Sequence, residues 1–392
     1  MEKINLMKST FYKEKEIKRK LCDFILDTEI LSMNKYVKQF ENDFSKWQQT
    51  DNSVMYNSGS SANLALIQSL LNLNRLKKGD NVGISAITWA TNFMPLIQFG
   101  LNPVPIDIKT TTLNIHSSNL EATLKEHKLD ALFLTHLLGF CGDMDNIKDI
   151  CDDRKILLLE DTCESIGSYY KSKYPKLGNW GLASTFSTYV GHHISTIEGG
   201  MVCTKDEELS NMLKMVRAHG WSRDIDHKAE RRLKVDNKVD DFNNKYTFYA
   251  LGYNLRPTEI SGFIGIEQLK YIDEIINKRE DNFRNFLYNS KRNGMNEYII
   301  VDYMDKVSNF AFPITTKNKE YRDRIDKYVE TRPIVGGNVV KQPVFKKYNK
   351  YNIQCPNADY VANNGFYIPN NPELTKEEVK RMCALLRNED IQ

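Results

Sequence analysis

Three short polar clusters in this chain have the residue types and spacing to do chemistry on a bound organic ligand. The first, Asn57-Ser58-Gly59-Ser60-Ser61-Ala62, sets glycine, hydroxyls and free backbone N–H groups at a helix start, a setting that favours phosphate. A plain helix cap would use the same residues. The second, Leu158-Leu159-Glu160-Asp161-Thr162-Cys163-Glu164-Ser165, places carboxylates directly after an apolar strand. In open α/β sheets that edge is where ligands bind. An aspartate there can hold the protonated ring nitrogen of a pyridine by a charge-assisted hydrogen bond, or simply cap the next segment. The third runs from Ser184 to Gly200 and puts hydroxyls, His192, His193 and a Gly-Gly turn between two strands. A His-His pair without further ligands at suitable spacing makes no metal site.

The elements that must position these clusters read as α/β. Short apolar runs alternate with helical stretches between about residues 55 and 205, the pattern of a parallel sheet covered by helices. Strands are expected at Val82 to Ile87, Pro103 to Ile108, Ala131 to Leu134, Ile156 to Leu159 and Met201 to Thr204. The Ser58–Ser61 turn opens a helix from Ala62 to Leu73, and Lys78-Gly79-Asp80 supplies the turn into the next strand. From Pro257, apolar residues at helical spacing predict one long helix to about Lys291 that joins two domains. Strand signals at Ile299 to Tyr303 and Asn309 to Ile314 and a closing helix over Thr375 to Leu386 follow. The expected division is an N-terminal arm with a large domain over 1–260, then the linking helix and a small domain over 261–392.

Composition excludes several function classes. With 392 residues, 41% of them apolar, and a formal charge of +3 from interspersed ions, the chain can bury a large core and has no nucleic-acid footprint. The first twenty residues are charged and lack an apolar run, so neither a secretory signal nor a membrane anchor is expected, and the cytoplasm is the expected compartment. Seven cysteines are scattered with no Cys-x-Cys or Cys-x-x-Cys pair, which argues against zinc or iron–sulfur sites.

Taken in order along the whole chain, the motifs resemble the DegT/DnrJ/EryC1/StrS group of fold-type-I pyridoxal-phosphate enzymes. The resemblance rests on the Ser-Gly-Ser turn, the aromatic after Ile87-Thr88, the Glu-Asp-x-x-Glu strand end and Phe186-Ser187-Thr188-Tyr189 with its Glu198-Gly199-Gly200 tail. Arg217-x-His219-Gly220 and Gly252-Tyr253-Asn254-Leu255-Arg256 complete it. It implies an aspartate-aminotransferase-like fold: a large, mostly parallel sheet domain covered by helices and a smaller C-terminal α/β domain. It also implies that Gly59, Ser60 and Ser187 bind the cofactor phosphate and that Trp89 stacks on the pyridine ring. Asp161 would then pair with the ring nitrogen and Glu164 would lie near the ring hydroxyl, where most relatives carry Gln. Asn254 would reach the phosphate of a neighbouring subunit, because sites of this group lie at a homodimer interface.

The chain departs from the group at residue 192. The pattern there calls for the lysine that forms the Schiff base, and this sequence has His192 followed by His193. Histidine at that position is what the sugar 3-dehydratases of the group show. The missing Cys-x-Cys sets the chain apart from the iron–sulfur, CDP-sugar type and makes it similar to the cluster-free type acting on a GDP-linked 4-keto-6-deoxy sugar. His219 to Asp224, Gly336-Gly337-Asn338 and Lys341-Gln342-Pro343 support that likeness.

The resemblance therefore implies a lyase using pyridoxal or pyridoxamine phosphate, with His192 as base and glutamate returning the cofactor to its amine form. Trp221, Arg332 and Asn338 are the expected contacts to the nucleotide sugar. Asp27 to Met33, which aligns with a loop bordering the site in relatives, would help to select the sugar. An unusual aminotransferase, a dehydratase for a CDP-linked sugar and a cofactor-binding scaffold without activity are the competing readings.

Overall fold

A computed structural model describes residues 2–292, 304–349 and 351–389. Seven short strands form the main sheet: β1 (Asn52–Tyr56), β2 (Asn81–Ser85), β3 (Asn102–Ile106), β4 (Ala131–Thr135), β5 (Leu157–Asp161), β6 (Ala183–Ser187) and β7 (Gly200–Thr204). Their spatial order is β1-β7-β6-β5-β4-β2-β3, and β7 alone runs against the rest. Strands such as Ala131-Leu132-Phe133-Leu134-Thr135 are buried along their whole length, as a sheet covered on both faces requires. The expected strands stand within a residue or two of their predicted places, while β1 and β6 lie outside the predicted set.

Parallel pairing sends the carboxyl ends of β2, β4, β5 and β6 to one edge, so all three polar clusters arrive there. The helices α1 (Glu14–Asp27) and α2 (Lys35–Gln48) precede the sheet, and α3 (Gly59–Asn72) starts at the end of β1. Ser58 caps α3, its Oγ accepting the Ser61 N–H at 3.0 Å. Ala62, Ala65, Leu66 and Leu70 fix α3 against the sheet.

The single long helix expected after Pro257 is two helices, α4 (Glu259–Leu269) and α5 (Ile272–Arg292), broken at Lys270 and Tyr271. The apolar spacing runs on through the break because the two halves serve different partners. On α4, Gly262 and Gly265 let the helix lie against α2: an added Cβ would stand 2.6 Å from the Val37 nitrogen and 2.6 Å from the Phe40 ring. On α5, Phe283 and Phe286 join the core that spans both sheets, reaching Leu132 and Leu134 on one side and Phe312 and Ile368 on the other. The small sheet is β8 (Ala311–Thr315), β10 (Gly365–Pro369) and β9 (Arg332–Pro333), antiparallel in that order. The predicted strand over Ile299 to Tyr303 lies outside the described residues, and the closing helix spans Lys376–Leu386 with Thr375 as its cap.

Candidate active site

Strand alternation separates the two neighbouring carboxylates at the end of β5. Glu160 turns into the protein, where its oxygens accept the N–H groups of Gly178, Trp180 and Gly181 and face His136 Nε2 at 2.8 Å. Asp161 turns to the sheet edge. Its Oδ2 accepts from Asn63 Nδ2 at 3.0 Å and Asn92 Nδ2 at 2.8 Å, and its Oδ1 accepts the Cys163 N–H at 3.0 Å. Three donors fix the direction of the carboxylate.

The start of α3 meets β6 and β7 beside it. An added Cβ on Gly59 would lie 2.9 Å from Ser187 Cβ, and one on Gly200 would lie 2.3 Å from the Ser58 carbonyl. Only glycine lets these backbones close up. The first-turn N–H groups of Gly59 and Ser60 have no intrahelical acceptor by position, so the cradle they form with the Ser187 hydroxyl suits a phosphate.

The loop from β6 to β7 carries His192. Thr188 N–H donates to the Gly199 carbonyl at 2.9 Å, Thr196 N–H returns to Thr188 at 2.8 Å, and the two threonine hydroxyls meet at 2.5 Å. At its tip His192 Nδ1 lies 2.7 Å from the Cys163 carbonyl. A carbonyl can only accept, so Nδ1 carries the proton and Nε2 keeps the lone pair. Burial pushes the imidazole below its ordinary value, an effect opposed by the Cys163 carbonyl and the Asp161 charge and strengthened by Arg279. His193 turns away, buried, with Nε2 2.9 Å from the Ser308 carbonyl.

Glu164 stands half-buried on the same wall and accepts the Leu138 N–H at 2.8 Å. Leu138 holds that N–H in place from a left-handed backbone, φ 54°. Burial, with some help from the Asp161 charge, pushes the Glu164 carboxyl up to about 8.

These groups line one cavity of about 560 Å³, a size suited to a cofactor and part of a substrate. Gly59, Ser60, Trp89, Asp161, Glu164, Ser187, His192 and Arg332 all border it. Trp89 is 57% exposed there, a large flat apolar face with room for a planar ring. Trp221, Asn254 and Asn338 lie outside it. Trp221 stacks on Phe248 with ring centroids 5.7 Å apart, and the Arg223 guanidinium lies 4.0 Å above its ring. Asn254 is exposed and accepts from Arg256 Nε at 3.0 Å. Asn338 caps the turn after it, accepting the Val340 N–H, and donates to Asp359 at 2.9 Å. The segment Asp27 to Ile30 borders a second cavity beside α1 and α4.

Arg217, part of one recurring motif, is architectural. Buried, it bonds Glu41 and the Met55 carbonyl, tying β1 to α2. Sequence reasoning passed over Asn63, Asn92, Arg279, Phe310 and Tyr367, which reach the cavity or its carboxylate from distant parts of the chain. The sequence signal for Asn63 is weak, because the same helix also buries the polar residues Gln68 and Ser69. Among the described residues, no group of three or more His, Cys, Asp or Glu could hold a metal ion, and no helix is long and apolar enough to cross a membrane.

Residues 12–387 match the profile of the DegT/DnrJ/EryC1/StrS aminotransferase family. The chain is similar to the GDP-4-keto-6-deoxy-D-mannose 3-dehydratase of Yersinia pseudotuberculosis, 35% identical over 97% of each chain. It is 36% identical to the enzyme of that name from Escherichia coli O55:H7, over 95% of this chain and 97% of that one. A solved GDP-4-keto-6-deoxymannose-3-dehydratase with a trapped PLP-glutamate geminal diamine superposes with a TM-score of 0.87 at 34% identity, covering 98% of this chain and all of that one.

Proposed function

The chain belongs to the DegT/DnrJ/EryC1/StrS aminotransferase family, and from that premise we propose that it is a pyridoxal-phosphate-dependent lyase. Its substrate is a nucleotide-linked 4-keto-6-deoxy sugar, from which it removes the C3 hydroxyl to leave a 4-keto-3,6-dideoxy sugar. One observation carries this reading: the cavity presents the free Nε2 of His192, and none of its described lining residues is a lysine. A transaminase cycle depends on a lysine amine to recapture the cofactor aldehyde; an imidazole forms no stable Schiff base and leaves only proton transfer.

The residues present fit the cofactor. Gly59, Ser60 and Ser187 would hold its phosphate, Asp161 its ring nitrogen and Trp89 its ring face, while Glu164 would donate to the ring hydroxyl as a protonated acid. Pyridoxamine phosphate, when bound, supplies the amine that engages the C4 ketone and a ring that stores the electrons expelling the C3 oxygen. With the cofactor bound, His192 Nε2 would take up the proton released at the cofactor's C4′ carbon and deliver one to the departing oxygen. Its neutral form is the competent one, and Cys163 keeps the ring aimed.

Arg332 at the cavity rim, paired with Glu330 at 2.8 Å, would meet the substrate diphosphate, and Asn338 would contact the sugar nucleotide. Glutamate restores the amine form of the cofactor. The protein works in the cytoplasm as a homodimer in which Asn254 and Trp221 serve the partner's site, which accounts for their position outside the cavity of their own chain.

The test is parallel incubation with GDP-4-keto-6-deoxymannose and with a CDP-linked 4-keto-6-deoxy sugar, each with cofactor and glutamate, followed by mass spectrometry and an ammonia assay. Loss of the C3 oxygen with release of ammonia supports the reading. A stoichiometric amino sugar makes the protein an aminotransferase, conversion of only the CDP-linked sugar reassigns the nucleotide, and no conversion makes it a scaffold.

A further inference from the structure

Arg279 on α5 is 3% exposed, yet among the described residues no carboxylate pairs with it. Its guanidinium is spent on backbone carbonyls. One terminal nitrogen donates to the His192 carbonyl at 3.1 Å, and the other donates to Phe310 at 3.1 Å, to Asn309 and to Asn370. Asn370 replies, its Nδ2 donating to the Arg279 carbonyl at 2.9 Å. One side chain thus ties the tip of the β6–β7 loop to the small sheet and to the helix between them. The Phe310 backbone held by Arg279 carries the ring that stacks on His192, centroids 5.6 Å apart and planes within 10°.

Leaving a buried cation without a counter-ion is costly, so an arginine serving packing alone is expected to be paired. Burial is the main force holding the two histidines of the loop in the neutral form, and the Arg279 charge adds to it. The other ionisable groups around His192 are Asp161 at the end of β5 with Cys163 and Glu164 just beyond it, Tyr189, His193 and Glu198 on its own loop, and Arg332 and Tyr367 from the small sheet. Asp161 favours protonation of His192, and Arg279 is the cation that answers it.

We infer that Arg279 is a positioning residue for His192: its guanidinium fork fixes the histidine's backbone and stacking partner and sets an unpaired cation beside the loop. The inference rests on the proposed role of His192 as base. It separates into two parts that two variants resolve. Arg279→Lys keeps the charge and loses the fork; Arg279→Gln loses both.

The experiment is an NMR titration of ring-labelled His192, assigned by its loss in His192→Asn, alongside pH profiles of sugar conversion. With Arg279→Lys, kcat falls about tenfold to a hundredfold through misplacement of the base, and the acid limb of the profile stays in place. With Arg279→Gln the imidazole titrates at higher pH, and the acid limb moves up with it. Unchanged titration in a folded Gln variant, or full kcat in the Lys variant, overturns the corresponding part. If neither variant folds, Arg279 is a folding determinant and the assignment falls. Should wild type convert no sugar while the titration still shifts, the functional reading fails and the electrostatic role of Arg279 stands.

Discussion

The imidazole of His192 lies nearly flat against the ring of Phe310, centroids 5.6 Å apart and planes 10° from parallel, while its Nδ1 is bonded to Cys163 at 2.7 Å. Two constraints from different parts of the chain leave the ring one orientation, with Nε2 toward the cavity. A positioned base with one open nitrogen is what proton transfer at carbon requires.

His192→Asn is expected to lower sugar conversion by about 10²- to 10⁴-fold, the usual worth of a general base. The cofactor contacts are untouched, so pyridoxal phosphate still binds, as its absorbance after gel filtration would report. Conversion within a few-fold of wild type would remove His192 from the chemistry.

Asp161→Asn can keep one oxygen on Asn63 and Asn92, but its NH2 then faces the Cys163 N–H and leaves that donor without an acceptor. It also removes the charge facing the ring nitrogen. Conversion is expected to fall by at least about a hundredfold, with weaker cofactor binding in a fluorescence titration. Binding and turnover both near wild type would mean that the ring nitrogen lies elsewhere.

Glu164 gives a pH signature in the protein without cofactor. Unfolded, its carboxyl ionises near 4.5; folded, burial holds the proton until about 8. The group costs nothing below pH 4.5, and its burden grows as pH rises toward 8. Glu164→Gln is neutral throughout, so its melting temperature should gain on wild type from about pH 5 to about pH 8 and hold that gain above it. Parallel melting curves across that range would show that Glu164 is solvated and ordinary.

Much of this site was legible in the sequence because its parts are local. A Ser-Gly-Ser turn at a helix start, a carboxylate at a strand end and a histidine before Gly-Gly each occupy a few consecutive residues, and the parallel sheet carries all of them to one edge. The two strands at the β1–β7–β6 edge of the sheet were harder. Apolar runs mark strands only weakly where the buried residues are Ser and Thr, as in Ala183-Ser184-Thr185-Phe186-Ser187, whose Ser184 hydroxyl is satisfied by the Gly178 carbonyl. Asn63 and Asn92 acquire meaning only once α3 and β2 bring them to Asp161. Arg279, Phe310 and Tyr367 enter from α5 and the small sheet, more than a hundred residues beyond Asp161. No spacing in the sequence links such positions, and the same apolar period carried unbroken across Lys270 concealed the change of packing partner between α4 and α5.

Asn254 gives the means to test whether sites are shared between subunits. Its side chain is exposed and bonds only Arg256 among the described residues, away from the cavity of its own chain. Asn254→Asp would set a carboxylate against the cofactor phosphate of a partner, and is expected to be nearly inactive alone, as is His192→Asn. Unfolded together and refolded as a mixture, the two inactive proteins should regain about a quarter of wild-type activity. Half of the dimers are then mixed, and each mixed dimer assembles one intact site from the His192 of one subunit and the Asn254 of the other. The number depends on the crossing of the two contributions: were both supplied by one chain, every site in every dimer would carry a lesion, and mixing would restore nothing.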